Sequence, residues 1–431
     1  MLIRSAICLF TLLVLSWSCH ARLPSQAPYL SPPDPNHYQI IEVSSAQALI
    51  DALWNLQSRQ AVMIQPGVYN LASVDFPNGV DGRLSVGRFG RPMINDVLIR
   101  GATNNPADVI IHGAGMSNAI VPHGFQIATA EEVTIANLSI GEVYFHAIDI
   151  QGPQGANNIL IYNVHAFDAG QQIIKGNTAA ASDVRIEYSA VYYNGDGAIV
   201  HPATGTCYTN GIDTTGGDRW IIRDSHIHNI RCQNGALAGP AILLWRGASN
   251  SLVERNLLTD SSRGIYLGLQ ASHNGGPDHV GGIVRNNVIT WDADAGYSVD
   301  TGIYTTSLGA AILHNTVLIR GHYQNAIEVR FDSASSVDVN GNATDAAIRA
   351  RNGGSPTLLG NQQEVEEQWF VDAPGGDLTP RQDASALVSA IATDHRASDD
   401  FHARLRRAPP GLTEIGAVSL PALFADRFEQ Y

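Results

Sequence analysis

Of the 26 basic residues in this chain, one is a lysine, Lys175, and the other 25 are arginines. A chain rich in Ala, Gly and Arg loses its lysines through composition alone, which leaves the presence of Lys175 to be explained. A lysine flanked by arginines and partly withdrawn from water can lose its proton near neutral pH and act as a general base. A histidine needs no such shift, which makes His201 a second candidate base. Tyr266 and Tyr304 are candidate proton donors. Arg246, Arg263, Arg330 and Arg349 can pair with carboxylates, and Trp245 offers a face on which a sugar ring stacks. Asp213 and Glu328 complete the set with acceptors.

These residues meet only if the chain keeps returning to the same place. The stretch 240–270, PAILLWRGASNSLVERNLLTDSSRGIYLGLQ, contains such a return: a strand at 241–244, a turn, a bent strand at 252–258, and the first strand again at 264–267. The same returning strand is readable at 147–150, 173–175, 198–201, 211–214, 302–305, 326–329 and 347–350, each with a small residue or Ile before the inward Ile. A second column holds the bend residues Asn137, Asn163, Ser189, Ser225, Asn256, Asn287 and Asn315. Asn tolerates left-handed backbone, and its amide can bond the Asn of the next coil. Helices do not alternate with these strands, which excludes a βαβ fold. Alternate side chains point outward, so the candidate residues form one stripe down a solenoid.

The 431 residues suffice for one long repeat array, and 44% hydrophobic content argues against disorder. A net charge of -14 disfavours non-specific nucleic-acid binding. Arg4, the apolar run 7–15 and the small residues after it form an export signal over 1–21, too short to span a bilayer. Export to the periplasm or beyond is expected, with lipid attachment at Cys19 as the lesser alternative. A Pro-rich tether follows over 22–38. An amphipathic helix over 45–56, opened by a Ser45 capping pattern, caps the array. The solenoid with its cap occupies 39–353, and 354–431 closes the far end. Cys207 and Cys232 lie about one coil apart and are expected to form a disulfide. The chain is expected to be a monomer.

The PGVY start at 66–69, the I-R-G coil at 99–101, the V-E-R-N and R-G-I coils and the closing T-E-I-G-A at 413–417 resemble the exported β-helix repeat proteins of the pectate-lyase-like superfamily. The resemblance implies an all-β, right-handed parallel β-helix. It also implies an acidic polysaccharide as partner and β-elimination of a uronic-acid polymer as the activity. That chemistry needs a neutralised C6 carboxylate, a base for the C5 proton and an acid for O4. The stretch 325–330, NAIEVR, loosely resembles an Asn-x-x-Glu-x-x-Arg region of chondroitinase-B and alginate lyases, with the Arg one residue early. Calcium often neutralises the carboxylate in such relatives, and Asp292, Asp294 and Asp300 form a candidate oxygen-rich loop. His226 and His228 share a strand face but lack a third metal ligand. Two other functions fit the scaffold. A glycoside hydrolase needs paired carboxylates, for which Asp196, Asp213 and Asp218 are candidates. A non-catalytic polysaccharide-binding adhesin needs only the stripe.

Overall fold

The structure is a computed structural model, and it describes residues 26–77, 82–177, 181–388, 390–406 and 411–420. The export segment, Cys19 and the tail after 420 lie outside the described residues. The chain forms a right-handed parallel β-helix. One sheet stacks ten parallel strands, Leu84–Val86, His123–Ile127, His146–Gln151, Ile174–Asn177, Ile212–Thr215, Ile242–Trp245, Ile265–Leu267, Ile303–Thr305, Asn325–Arg330 and Ala347–Arg351. The remaining strands of the coils line the other sides, joined where Ala130–Val143 and Asn157–Ala169 run through the bend.

Inside the ten-stranded sheet, Ile148, Ile174, Ile212, Ile242, Ile265, Ile303 and Ile327 stand in register, each with 0% exposure. Burying each such side chain contributes about 1.5–3 kcal/mol. The returning strand expected at 198–201 is not part of this column. Ile174 pairs directly with Ile212, and 194–211 is an excursion from the coil. Ala198 and Ile199 match the small-Ile pattern, but Val200 is 46% exposed and Ile199 only part-buried, so neither fills the core. The Cys207–Cys232 disulfide ties this excursion down, as the cysteine spacing suggests.

The bend column is a ladder of amides. Asn256 donates to Asn287 at 3.0 Å, Asn287 to Asn315 at 2.9 Å, Asn315 to Asn342 at 3.0 Å and Asn342 to Asn361 at 2.9 Å. The left-handed residue matches the expected Asn only in the early coils, at Asn137 and Asn163. Later it is the residue before, Arg255, Asn286 or His314, which frees the Asn to point inward and bond along the stack.

The capping helix runs Ala46–Trp54, with Ser45 accepting from the Ala48 N–H at 3.2 Å and Leu49, Ile50 and Leu53 buried. The tether is not free along its whole length. The Arg100 guanidinium donates to the carbonyls of Leu30 and Ser31 at 3.0 and 2.8 Å, and Tyr162 donates to Pro28 at 2.7 Å. The closing segment differs from expectation in place. Rather than only stopping the open end, it lies along the coils and covers the outward apolar residues Leu257, Val288 and Leu318 with Phe370, Leu378 and Phe401. Those outward residues need cover, and Arg255–Asp399 at 2.7 Å helps hold it in place.

Candidate functional site

On the outer face of the ten-stranded sheet one row of side chains runs in unbroken register: Gln126, Asp149, Lys175, Asp213, Leu243, Tyr266, Tyr304, Glu328 and Arg349. The strands that carry it are fixed from inside by the isoleucine column, so the spacing of the row is the spacing of parallel strands, about 4.8 Å. The row was expected as an exposed stripe. It faces outward, yet Asp149, Lys175, Asp213, Tyr266 and Glu328 are only 1 to 8% exposed. At that spacing, bulky side chains cover their neighbours.

Lys175 lies between two aspartates. Its Nζ donates to Asp213 Oδ2 at 2.7 Å, and Trp245 Nε1 donates to Asp213 Oδ1 at 2.9 Å. On the other side, Asp149 accepts from Gln126 Nε2 at 2.9 Å and Gln151 Nε2 at 2.7 Å, and also from Asn177. His146, beside this group, bonds the Gln172 carbonyl through Nδ1 at 2.8 Å. Burial pushes its pKa down to about 4, with the Asp149 charge opposing the shift, so it is a neutral imidazole at pH 7. Gln126, His123, His146 and Arg83 escaped the sequence reading. At Gln126, His123 and Arg83 the strands on or beside which they sit place Phe125 and Leu84 where the recognised coils have Ile, whereas His146 opens a recognised strand, one residue before its small-Ile pair.

The two tyrosines belong to a different part of the row. Tyr266 and Tyr304 stack with ring centroids 4.5 Å apart at 14°, and Tyr304 Oη donates to the Leu269 carbonyl at 3.1 Å. Burial raises the pKa of Tyr266 well above its ordinary value and that of Tyr304 to about 12, so both keep their protons. Three and four coils separate them from Lys175, roughly 14 and 19 Å at the strand spacing. Neither can protonate a leaving oxygen next to a carbon that Lys175 attacks. The expected division of base and acid between Lys175 and these tyrosines is therefore corrected on distance.

His201 is also displaced from the expected site. It lies on the excursion, fully buried, with Nε2 bonded to the Tyr144 carbonyl at 2.7 Å and Nδ1 accepting from the Ala203 N–H at 3.3 Å. Both ring nitrogens are occupied, in a structural role.

Among the arginines, Arg246 is exposed and lies 4.2 Å over the Trp245 ring. Arg263 is already paired with Asp300 at 3.2 Å. Arg330 bonds Asn352 at 3.0 Å and sits 5.6 Å over Tyr304. Glu328 pairs with Arg351 at 2.8 Å rather than with its row neighbour Arg349, which is exposed. Asn325 Nδ2 reaches Glu328 at 2.6 Å.

The three aspartates of the candidate calcium loop are not drawn together. Asp300 is committed to Arg263 and the Thr301 N–H, while Asp292 and Asp294 are exposed on the turn before it. Among the described residues no three His, Cys, Asp or Glu side chains are grouped as a metal would require. His226 and His228 stack on one another at 4.3 Å.

No protein-family model matches this sequence, and no curated protein matches it. Solved structures do. Pectate lyase Pel9A superposes with a TM-score of 0.59 at 12% identity, over 89% of this chain and 96% of that one. An alginate lyase from Paenibacillus sp. str. FPU-7 gives 0.47 at 17% identity, over 75% and 95%. PfbA, a surface adhesin of Streptococcus pneumoniae, gives 0.49 at 14%, over 75% and 79%. At these identities the shared property is the fold, a pectate-lyase-like parallel β-helix.

Proposed function

We propose that this chain is an exported lyase that cleaves an acidic, uronic-acid-containing polysaccharide by β-elimination, with Lys175 at the reacting centre. The observation that carries the reading is the position of the chain's single lysine, bonded to Asp213 in the middle of an outward polar row. The disulfide is consistent with an oxidising compartment.

In this reading the polymer lies along the row, with C5 of one uronate over Lys175. Covering the Lys175–Asp213 pair removes the water that favours separated charges, and the ammonium passes a proton to Asp213 Oδ2. The amine then takes the C5 proton. The C5–H electron pair forms the C4–C5 double bond, and the C4–O4 bond breaks. The ammonium re-formed at Nζ returns its proton to O4 from the same face, so that Lys175 serves as base and then acid. Trp245 holds Asp213 in place as a positioning residue. Arg246, exposed two coils beyond Lys175, pairs with the carboxylate of a neighbouring uronate and holds the polymer along the row.

A second reading, binding without turnover, is supported by the direct ion pair that engages Lys175 with Asp213. One experiment separates the readings. Incubation with a panel of uronate polymers should produce the ultraviolet absorbance of a 4,5-unsaturated product. New reducing ends without that absorbance would indicate hydrolysis. Binding with neither signal would leave an adhesin.

A further inference from the structure

A cleft of about 300 Å³ opens beside the first strands of the ten-stranded sheet, lined by Trp54, Arg83, Arg88, Phe89, Arg91 and Gln126 among others. Three guanidinium groups converge there in a chain whose net charge is -14. Among the described residues none that lines the cleft is acidic.

The cleft is built on rigid backbone. Gly87 and Gly90 both have φ of +71°, and a Cβ at Gly87 would meet the Thr129 carbonyl at 2.7 Å. The Thr129 hydroxyl closes the turn from both directions. It accepts from the Arg88 N–H at 3.0 Å and donates to the Arg88 carbonyl at 2.9 Å. The Arg91 N–H bonds back to the Arg88 carbonyl at 3.0 Å. This turn holds out Arg88, Phe89 and Arg91. Phe89 is 49% exposed, which leaves part of its ring open to the cleft. The facing wall is the last residue of the capping helix, Trp54, with the Arg88 guanidinium 4.2 Å over its ring. The floor joins the cleft to the row already described. Arg83 donates to Gln126 at 2.6 Å, and Gln126 donates to Asp149 at 2.9 Å. Gln126 stands two coils from Lys175 in the same row, roughly 10 Å away.

We propose that this cleft is an acidic-sugar subsite, where one uronate of a chain lying over Lys175 packs its ring against Phe89 and places its carboxylate on Arg91 and on Arg88, which lies over Trp54. An open aromatic face beside forked cations suits a ring that carries a carboxylate, and a free inorganic anion uses only the second of these. The assignment rests on the polysaccharide reading above. It adds the direction in which the polymer extends from the reacting sugar, toward the capping helix.

The test is equilibrium binding, measured calorimetrically on the full chain with galacturonate and mannuronate trimers, their carboxyl-reduced counterparts, and sodium sulfate. Wild type is expected to bind at least one uronate trimer. Arg91→Ala and the double variant R88A/R91A are expected to weaken it about tenfold or more, the loss of a charge-assisted hydrogen bond. The carboxyl-reduced trimers should bind no better than the variants do. The proposal is overturned if no trimer binds wild type, if the variants bind as wild type does, or if the reduced trimers bind equally well. Sulfate that binds as tightly as the best trimer overturns it in favour of a simple anion site. Because the readout is binding, it separates from the lyase reading. Arginine-dependent binding without any unsaturated product leaves the cleft standing and removes the lyase. Unsaturated product with arginine-independent binding does the reverse.

Discussion

Lys175 and Asp213 occupy the same register position on successive coils, and their side chains meet at 2.7 Å in a pair almost closed to water. A buried charge pair is costly to break from one side, because the remaining charge keeps its desolvation penalty without a partner. Lys175→Ala should therefore lower stability by about 3–5 kcal/mol, while K175M/D213N should recover most of that loss. Urea denaturation of the two variants measures the difference. Turnover should fall about 10²–10⁴-fold in both. A K175M/D213N protein that is stable and fully active would remove Lys175 from the chemistry.

The Asn ladder makes a second prediction, independent of function. Asn287 is fully buried and donates to the Val253 carbonyl at 2.9 Å, the Arg285 carbonyl at 3.0 Å and Asn315 at 2.9 Å. Its own oxygen accepts from the Asn256 N–H at 3.0 Å. Asn287→Leu keeps the volume and removes every one of these bonds; the buried Asn256 N–H loses its acceptor and the Val253 carbonyl loses the amide, while the Arg285 carbonyl keeps the Arg255 N–H at 3.2 Å. The expected cost is about 2–4 kcal/mol, since each stranded group costs on the order of 1–3 and some relaxation follows. A change below about 1 kcal/mol, within the net worth of one ordinary hydrogen bond, would show that the ladder decorates the bend and does not hold it.

The ladder was legible in the sequence because it repeats, and so was the isoleucine column. Repetition lets a weak local signal be added over many coils. The candidate site has no such redundancy. Lys175 stands out because it is the only lysine, and Asp213 and Trp245 because they sit on strands of the column. His201 was misplaced because Ala198–Ile199 imitates the repeat locally, whereas the true return, Ile174 to Ile212, spans a long excursion that pattern alone cannot distinguish from an extra coil. Gln126 and Arg83 were missed for the opposite reason. The strands His123–Ile127 and Leu84–Val86 keep the geometry but place Phe125 and Leu84 where the later coils have Ile. Distances along the axis were not read from the sequence at all. They are what separates Tyr266 and Tyr304 from Lys175.

The buried histidines give the fold an acid-sensitive window. His279 is fully buried between Ser251 at 3.1 Å and Ser307 at 2.8 Å, and desolvation depresses its pKa to about 3. A histidine whose folded pKa lies below its unfolded value of 6.5 is protonated first in the unfolded chain. Unfolding therefore takes up a proton below pH 6.5, and stability falls as pH drops from there toward 3. His146, depressed to about 4, acts in the same direction. In His279→Gln the loss of stability between pH 6.5 and 4.5 should be shallower than in wild type, by up to about 1.4 kcal/mol per pH unit for one proton. Denaturation midpoints across that range provide the check, and parallel slopes in the two proteins would count against this role.

The Cys207–Cys232 bond closes a loop with a sequence separation of 25, and it anchors the excursion that carries His201 to the coil that follows. Closing a loop of that length is worth about 3–4 kcal/mol through restriction of the unfolded chain. The double variant C207S/C232S should lose stability of that order. The loss should also be local in the native state, because 194–211 adds no strand to the ten-stranded sheet, while Ile174 and Ile212 pair without it. Amide exchange in the variant is therefore expected to accelerate over 198–211 and remain slow at Ile174–Asn177 and Ile212–Thr215. Turnover by Lys175 should survive at temperatures below the new midpoint. Accelerated exchange in the two strands themselves would mean that the disulfide holds the Lys175–Asp213 pair together, and that the excursion is part of the site wall instead of an appendage to it.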